Sequence, residues 1–155
     1  MVKKIILWIL VISCMGTIFF LSSQEATESS NLSKGFISQI VEFFDVRNTL
    51  SESEIAEISI TLNNIVRTGA HFTIYAILGF LVAFLLSEYK YYGKKQIVYS
   101  VLCSFLYACT DELHQHFVPG RSAQLIDLIV DTVGALFGTI IAIIIVKIIR
   151  KNITR

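Results

Sequence analysis

Charge is scarce in this chain. Lys, Arg, Asp and Glu make up 16% of its 155 residues, against about 25% in an ordinary globular chain. Together with 54% hydrophobic residues and a mean hydropathy of +0.68, that scarcity excludes an ordinary soluble domain and points to an integral membrane protein. The charges present nearly cancel, at +1, so no bulk field argues for a nucleic-acid partner. Cysteine is scarce as well. Cys14, Cys103 and Cys109 are scattered through apolar stretches, which makes neither a disulfide framework nor a zinc pattern. They read as small packing residues. A His-Glu-x-x-His run is also missing, so the metalloprotease arrangement is excluded and no metal or cofactor is expected.

Four long apolar segments are present, at 5–21, 67–86, 97–115 and 125–147. A helix needs about 20 residues to cross a bilayer, so the third reaches that length only if its polar continuation, Asp111 to Gln115, is helical too. The expected fold is all-α: a single domain over 1–155 with four transmembrane helices in a bundle. Basic residues set its orientation. Lys3, Lys4, Lys90, Lys94, Lys95, Lys147, Arg150, Lys151 and Arg155 all fall on one side of a four-span arrangement, and that side is cytoplasmic by the positive-inside rule. Both termini are then inside. A cleaved leader at 1–21 is the competing reading, but its 17-residue apolar run exceeds the usual length of about 7–15 and no clear A-x-A site follows.

The opposite side holds a long loop at 22–65, rich in acids. It carries two helical stripes, Ile37, Ile40, Val41, Phe44 and Ile55, Ile58, Leu62, Ile65, the second opened by a capping box from Ser51 to Glu54. Short amphipathic helices on the outer leaflet or over the bundle are expected there.

The chemistry is concentrated in one run, Asp111-Glu112-Leu113-His114-Gln115-His116-Phe117-Val118-Pro119-Gly120-Arg121. Charge within a span is expensive, about 2.5–3.5 kcal/mol per group even on the lenient insertion scale, so it needs a functional reason. Counting about 20 residues per crossing from the basic side brings three segments to one level. Arg67 falls near the outer boundary with His71 a turn below; Gln115 or His116 falls at the boundary with Asp111 inside it; Asp127 falls at the boundary with Asp131 a turn deeper. Residues three and four apart share a helix face. Arg67, His71 and Tyr75 therefore form one line, and Ser100, Ser104, Tyr107, Asp111 and Gln115 another. Asp127 and Asp131 continue into Gly134, Gly138 and Ala142, a small-residue seam for close helix approach. Gly16 and Thr17 are expected on the inward face of the first span, with Gln24 at its outer exit. The result is a polar pocket opening outward.

Three uses of such a pocket remain open. Metal binding draws on the histidines and carboxylates, although His114-x-His116 suits a strand better than one helical face. Acid–base catalysis has His71 as base with Asp111 and Glu112 as further acid–base groups, while Arg67 and Arg121 hold an anion. Binding without chemistry uses Arg67, Gln115, Arg121, Asp127, Gln24 and Tyr75 alone. Beside these stands a structural reading, in which Arg67, His71, Asp111 and Asp127 form a buried ion-pair network that sets helix register. A proton or ion pathway fits worst, since residues 77–86 and 140–146 carry no ionisable side chain.

Read in order, Ser22-Ser23-Gln24, Arg67-x3-His71-x3-Tyr75, the Asp111-to-Arg121 run and Asp127-x3-Asp131-x2-Gly134-x3-Gly138 resemble the VanZ-like family, from about Leu7 to Lys147. The resemblance implies a small bacterial membrane protein, in a family named for a member that confers teicoplanin resistance. His116 lies outside the family's pattern, and the Asn that the resemblance implies for relatives at Asp131 argues against a strictly charged role there. Family context, depth and charge together imply a lipid-linked envelope molecule as partner, next to the lipid bilayer itself. Oligomeric state is not set by any of these features.

Overall fold

A computed structural model of the chain describes residues 1–24, 52–121 and 124–153. Every regular element among them is helical: α1 (Val2–Ser22), α2 (Glu52–Glu88), α3 (Lys94–Gln115) and α4 (Leu125–Ile153). The stripe expected at 37–44 and Ser51 lie outside the described residues. The second stripe does not make a separate helix. It is continuous with the second apolar segment in one 37-residue helix, about 55 Å long at 1.5 Å per residue. The reason is local: the sequence from Ile55 to Val66 contains neither glycine nor proline, so nothing interrupts propagation once the helix has begun.

Breaks occur where the backbone demands them. Lys90 and Gly93 both adopt positive φ, 63° and 64°, which turns the chain between α2 and α3. After Gln115, the N–H groups of Phe117 and Val118 donate to the carbonyls of His114 and Gln115 at 3.0 Å, tightening the last turn. Pro119 then follows with Gly120 at φ 75°, so the helix cannot continue.

Side-chain contacts show how the helices run. Arg67 meets Asp127 and His71 meets Asp131, so α2 and α4 run parallel at a constant offset. Tyr75 meets Asp111 and Gln96 meets the Ala83 carbonyl, so α3 runs antiparallel to α2. Trp8 meets Tyr89, which sets α1 antiparallel to α2 as well. The α2–α4 seam is the tightest. A Cβ on Gly138 would collide with the Ala76 carbonyl, one on Gly134 with the Phe72 carbonyl, and one on Gly79 with the Ala135 carbonyl. Glycine lets the two backbones approach to that separation, as the small-residue pattern predicts.

α1, Glu57–Glu88 of α2 and Leu125–Asn152 of α4 are each long and apolar enough to cross a membrane. α3 is as long as α1 but less apolar, and its arrangement inverts that of a soluble helix. Gln96, Ser100, Ser104, Ala108, Asp111 and Gln115 are buried, whereas Val98, Leu102, Leu106 and Leu113 are exposed. A helix that turns its polar face inward and its leucines outward suits a hydrocarbon surrounding, where buried polar groups must pair within the protein. On α1, Val11 and Ile18 face the core, while Gly16 and Thr17 are exposed. Thr17 donates back to the Ser13 carbonyl at 3.0 Å, which satisfies its hydroxyl without a neighbouring helix. The expected inward face for these two residues is therefore replaced by Val11 and Ile18.

Candidate functional site

Three helices and one loop deliver ionisable groups to the same end of the bundle. α2 contributes Arg67, His71 and Tyr75, one turn apart on a single face. The Arg67 guanidinium lies 3.4 Å from Asp127. One turn along, His71 Nδ1 lies 3.3 Å from Asp131 Oδ1, an ion-pair distance without hydrogen-bond alignment. Another turn along, the fully buried Tyr75 hydroxyl donates to Asp111 Oδ2 at 3.3 Å. Gln115 donates to the same Asp111 oxygen at 3.1 Å and approaches the Ser22 hydroxyl of α1 at 3.4 Å. Asp111 Oδ2 is thus held by two donors, while its Oδ1 is buried with no partner among the described residues.

Glu112 faces the loop rather than the bundle axis. Its Oε2 accepts the backbone N–H of Gln124 at 2.8 Å, close to the start of α4 at Leu125, so it fastens the turn between α3 and α4. Arg121 reaches back from that turn to donate to the Leu21 carbonyl at 3.3 Å, and its Nε is buried without a partner among the described residues. Burial, then the nearby charge of Arg67, pushes the Arg121 guanidinium below its ordinary pKa. An arginine in that position gains from an approaching anion.

Between α1, α2 and the Arg121 turn lies a cleft of about 180 Å³, lined by Ile18, Leu21, Ser22, Gln24, Val66, Arg67, Ala70, His71, Ile74, Tyr75 and Arg121. Its composition is one-sided. Two guanidinium groups, an imidazole and neutral donors share the wall with four apolar side chains and Ala70, and with no carboxylate among the described residues. The acids stand behind this surface. Asp131 is 0% exposed and Asp111 3% exposed.

Unmatched polar atoms concentrate here. His71 Nδ1, Asp111 Oδ1, Glu112 Oε1, Gln115 Oε1, Arg121 Nε and both oxygens of Asp131 are buried without hydrogen-bond partners among the described residues. Native interiors pair nearly all such atoms, and a cluster of exceptions marks a strained or reactive region.

Of the residues expected from the sequence, Gln24, Arg67, His71, Tyr75 and Arg121 share the cleft wall. Asp111, Gln115 and Asp127 join them through side-chain contacts, and Glu112 through the turn that holds Arg121. The spacing puts Asp131 at this depth among the candidate metal ligands, and the structure makes it the partner of His71. Its four-residue spacing from Asp127, matching that of Arg67 and His71, is the signal that pairs them. His114 is held to one side: its ring stacks on Phe19 with centroids 4.4 Å apart, and its Nε2 lies 3.0 Å from Ser23 Oγ. Among the described residues, no group of three or more His, Cys, Asp or Glu side chains converges on a metal-binding point.

The apolar exteriors, the inverted α3 and a buried ionisable cluster at one end define a small helical membrane protein with a polar site. The chain belongs to the VanZ/LLP1 family, whose sequence model matches residues 7–147. That match makes it a bacterial membrane protein of VanZ-like type. Comparison with curated proteins and with solved structures yields no match.

Proposed function

We propose that the chain crosses the membrane four times with both termini cytoplasmic, and that its cleft opens at the outer face and acts on a lipid-linked cell-envelope molecule. Linkage to glycopeptide resistance, of the teicoplanin type, is part of this reading. The positive-inside rule supports the orientation, since Lys3, Lys4, Lys90, Lys94, Lys95, Lys147, Arg150 and Lys151 all belong to the end away from the cleft. α3 counts as the third crossing because its polar stripe faces the bundle and its leucines face outward.

One observation carries the chemistry: His71 lines the cleft with the buried carboxylate of Asp131 at its back. An imidazole backed by a carboxylate is held in one orientation and stabilised when it takes up a proton, which suits it as a general base. Arg67 and Arg121 hold the anionic part of the substrate. Asp111 acts through the Tyr75 hydroxyl, and Glu112 through the turn that carries Arg121.

A second reading also has an observation in its favour. Among the described residues no carboxylate lines the cleft, as suits a binder that shields an envelope precursor or sequesters the antibiotic. Mass spectrometry of the protein in lipid nanodiscs with peptidoglycan lipid precursor separates the two. Under the catalytic reading, wild type alters the precursor mass, and both His71→Ala and Asp111→Asn lower the rate, the former by about a hundredfold or more. Precursor that stays bound with its mass unchanged in wild type sinks catalysis and leaves the binder.

A further inference from the structure

The geometry points to a phosphorylated lipid as the ligand of the α1–α2 cleft, its phosphate held between Arg67 and Arg121 and the start of its chain lying along Ile18, Leu21, Val66 and Ile74. The inference rests on the outward-facing site proposed above and narrows what that site recognises. Three features of the cleft lead to it.

The first is charge separation. A site that drew its charge balance from its own carboxylates would present them to the ligand. Here the wall carries Arg67, Arg121 and His71, and the acids lie behind it. Arg67 retains one contact to Asp127, at 3.4 Å, with its side chain 33% exposed. Arg121 spends one donor on a backbone carbonyl and has a buried Nε with no partner among the described residues. Two guanidinium forks, with the Ser22 hydroxyl and Gln24 amide beside them, provide more donors than one carboxylate can use. They match the several oxygens of a phosphate, which as a monoester carries about −1.5 to −2 charges.

The second is the apolar half of the wall. Ile18, Leu21, Val66, Ala70 and Ile74 form one side of the cleft, and a free inorganic anion gains nothing from them. A lipid phosphate uses both halves, since each buried CH2 contributes about 0.8 kcal/mol. The third is size. At about 180 Å³ the cleft is many times larger than a single bound water needs and has room for a phosphate and its first chain carbons.

The test uses the full chain in nanodiscs of uncharged zwitterionic lipid. These are doped with long-chain polyprenyl phosphate or with the matching polyprenol, and retained lipid is read by native mass spectrometry. The host lipid presents its phosphate as a diester, so the assay also asks whether the second negative charge is recognised. Wild type retains the phosphate over the alcohol by at least about tenfold. Arg67→Gln and Arg121→Gln each reduce that preference by about tenfold, Arg67→Lys and Arg121→Lys keep part of it, and Lys94→Gln at the other end leaves it unchanged. The lysine variants retain the charge, so their partial binding excludes misfolding as the cause. Equal retention of phosphate and alcohol overturns the inference, as does displacement of the lipid by millimolar inorganic phosphate.

Failure here is distinct from failure of the catalytic reading. A retained lipid phosphate that is never converted leaves this inference standing and removes catalysis. Conversion of a precursor at undiminished rate in both arginine-to-glutamine variants does the reverse.

Discussion

The two ends of the bundle bury polar groups in opposite ways. Toward the basic end Gln96, Ser100 and Thr139 are buried, neutral and satisfied. Gln96 donates to the Ala83 carbonyl at 2.9 Å, Ser100 donates to the Gly79 carbonyl at 2.9 Å, and Ser100 and Thr139 share a hydrogen bond of 2.8 Å. At the cleft end the buried groups are ionisable, and many of their atoms lack partners. Satisfied polar groups fix helix register at little cost. Unsatisfied charges are destabilising, so they persist where they serve something other than the fold. The surfaces differ in the same sense. Tyr89 receives a hydrogen bond from Trp8 at 3.2 Å and sits under the Lys4 ammonium at 4.2 Å. Arg150 covers the Tyr92 ring at 4.1 Å. Such aromatic and cationic belts anchor helices at a membrane–water interface. The basic end holds the molecule in place, and the cleft end is where chemistry is possible.

The seam that joins both ends is where the comparison breaks most completely. Gly138→Val adds bulk directly against the Ala76 carbonyl, and backbone cannot yield as a side-chain tip can. The cost is at least about 3 kcal/mol, large against a total stability of roughly 5–15 kcal/mol. Thermal unfolding in detergent should show loss of the folded bundle, with cleft binding lost alongside it. A Gly138→Val protein with unchanged melting would refute the close α2–α4 contact.

The next effect separates function from stability. Asp131 is fully buried, with His71 3.3 Å away and no hydrogen bond to either oxygen among the described residues. Asp131→Asn removes the charge and keeps the shape. If the carboxylate positions His71 for function, precursor conversion falls on the order of a hundredfold while the melting temperature holds or rises. A structural lock predicts the opposite pattern, since breaking one partner of a buried pair costs stability first. A drop in melting temperature with conversion intact would return the cluster to that structural role.

The sequence made much of this legible, for physical reasons that also mark where it stopped. The α2–α4 glycine seam and the gathering of Arg67, His71, Asp111 and Asp127 at one end of the bundle follow from the 1.5 Å rise and from residue spacing. The pairing of His71 with Asp131 was within reach, because the offset between Arg67 and Asp127 is the offset between His71 and Asp131. The division of the polar cluster into a cationic wall and an acidic backing was not legible. It depends on how α1 and the Arg121 turn close over α2, and no periodicity records that. The length of α2 was misread for a similar reason: an amphipathic stripe and an apolar span look like two elements unless the absence of a break between them is given weight.

Ser100 makes the smallest change and the sharpest control. Its hydroxyl donates to the Gly79 carbonyl and pairs with Thr139, and Thr139 itself lies 3.3 Å from the same carbonyl. Ser100→Ala therefore removes one donor from a shared acceptor and leaves Gly79 partly satisfied through Thr139. Side-chain hydrogen bonds between membrane helices average about 0.6 kcal/mol and reach about 1.7 kcal/mol, so melting should fall modestly and neither cleft binding nor conversion should change. The same substitution chemistry at the cleft end has a different consequence, because the groups there are not shared between acceptors but left open. Loss of lipid-phosphate retention in Ser100→Ala, with the bundle still folded, would mean that the two ends communicate through α3 and that the satisfied network is part of the site.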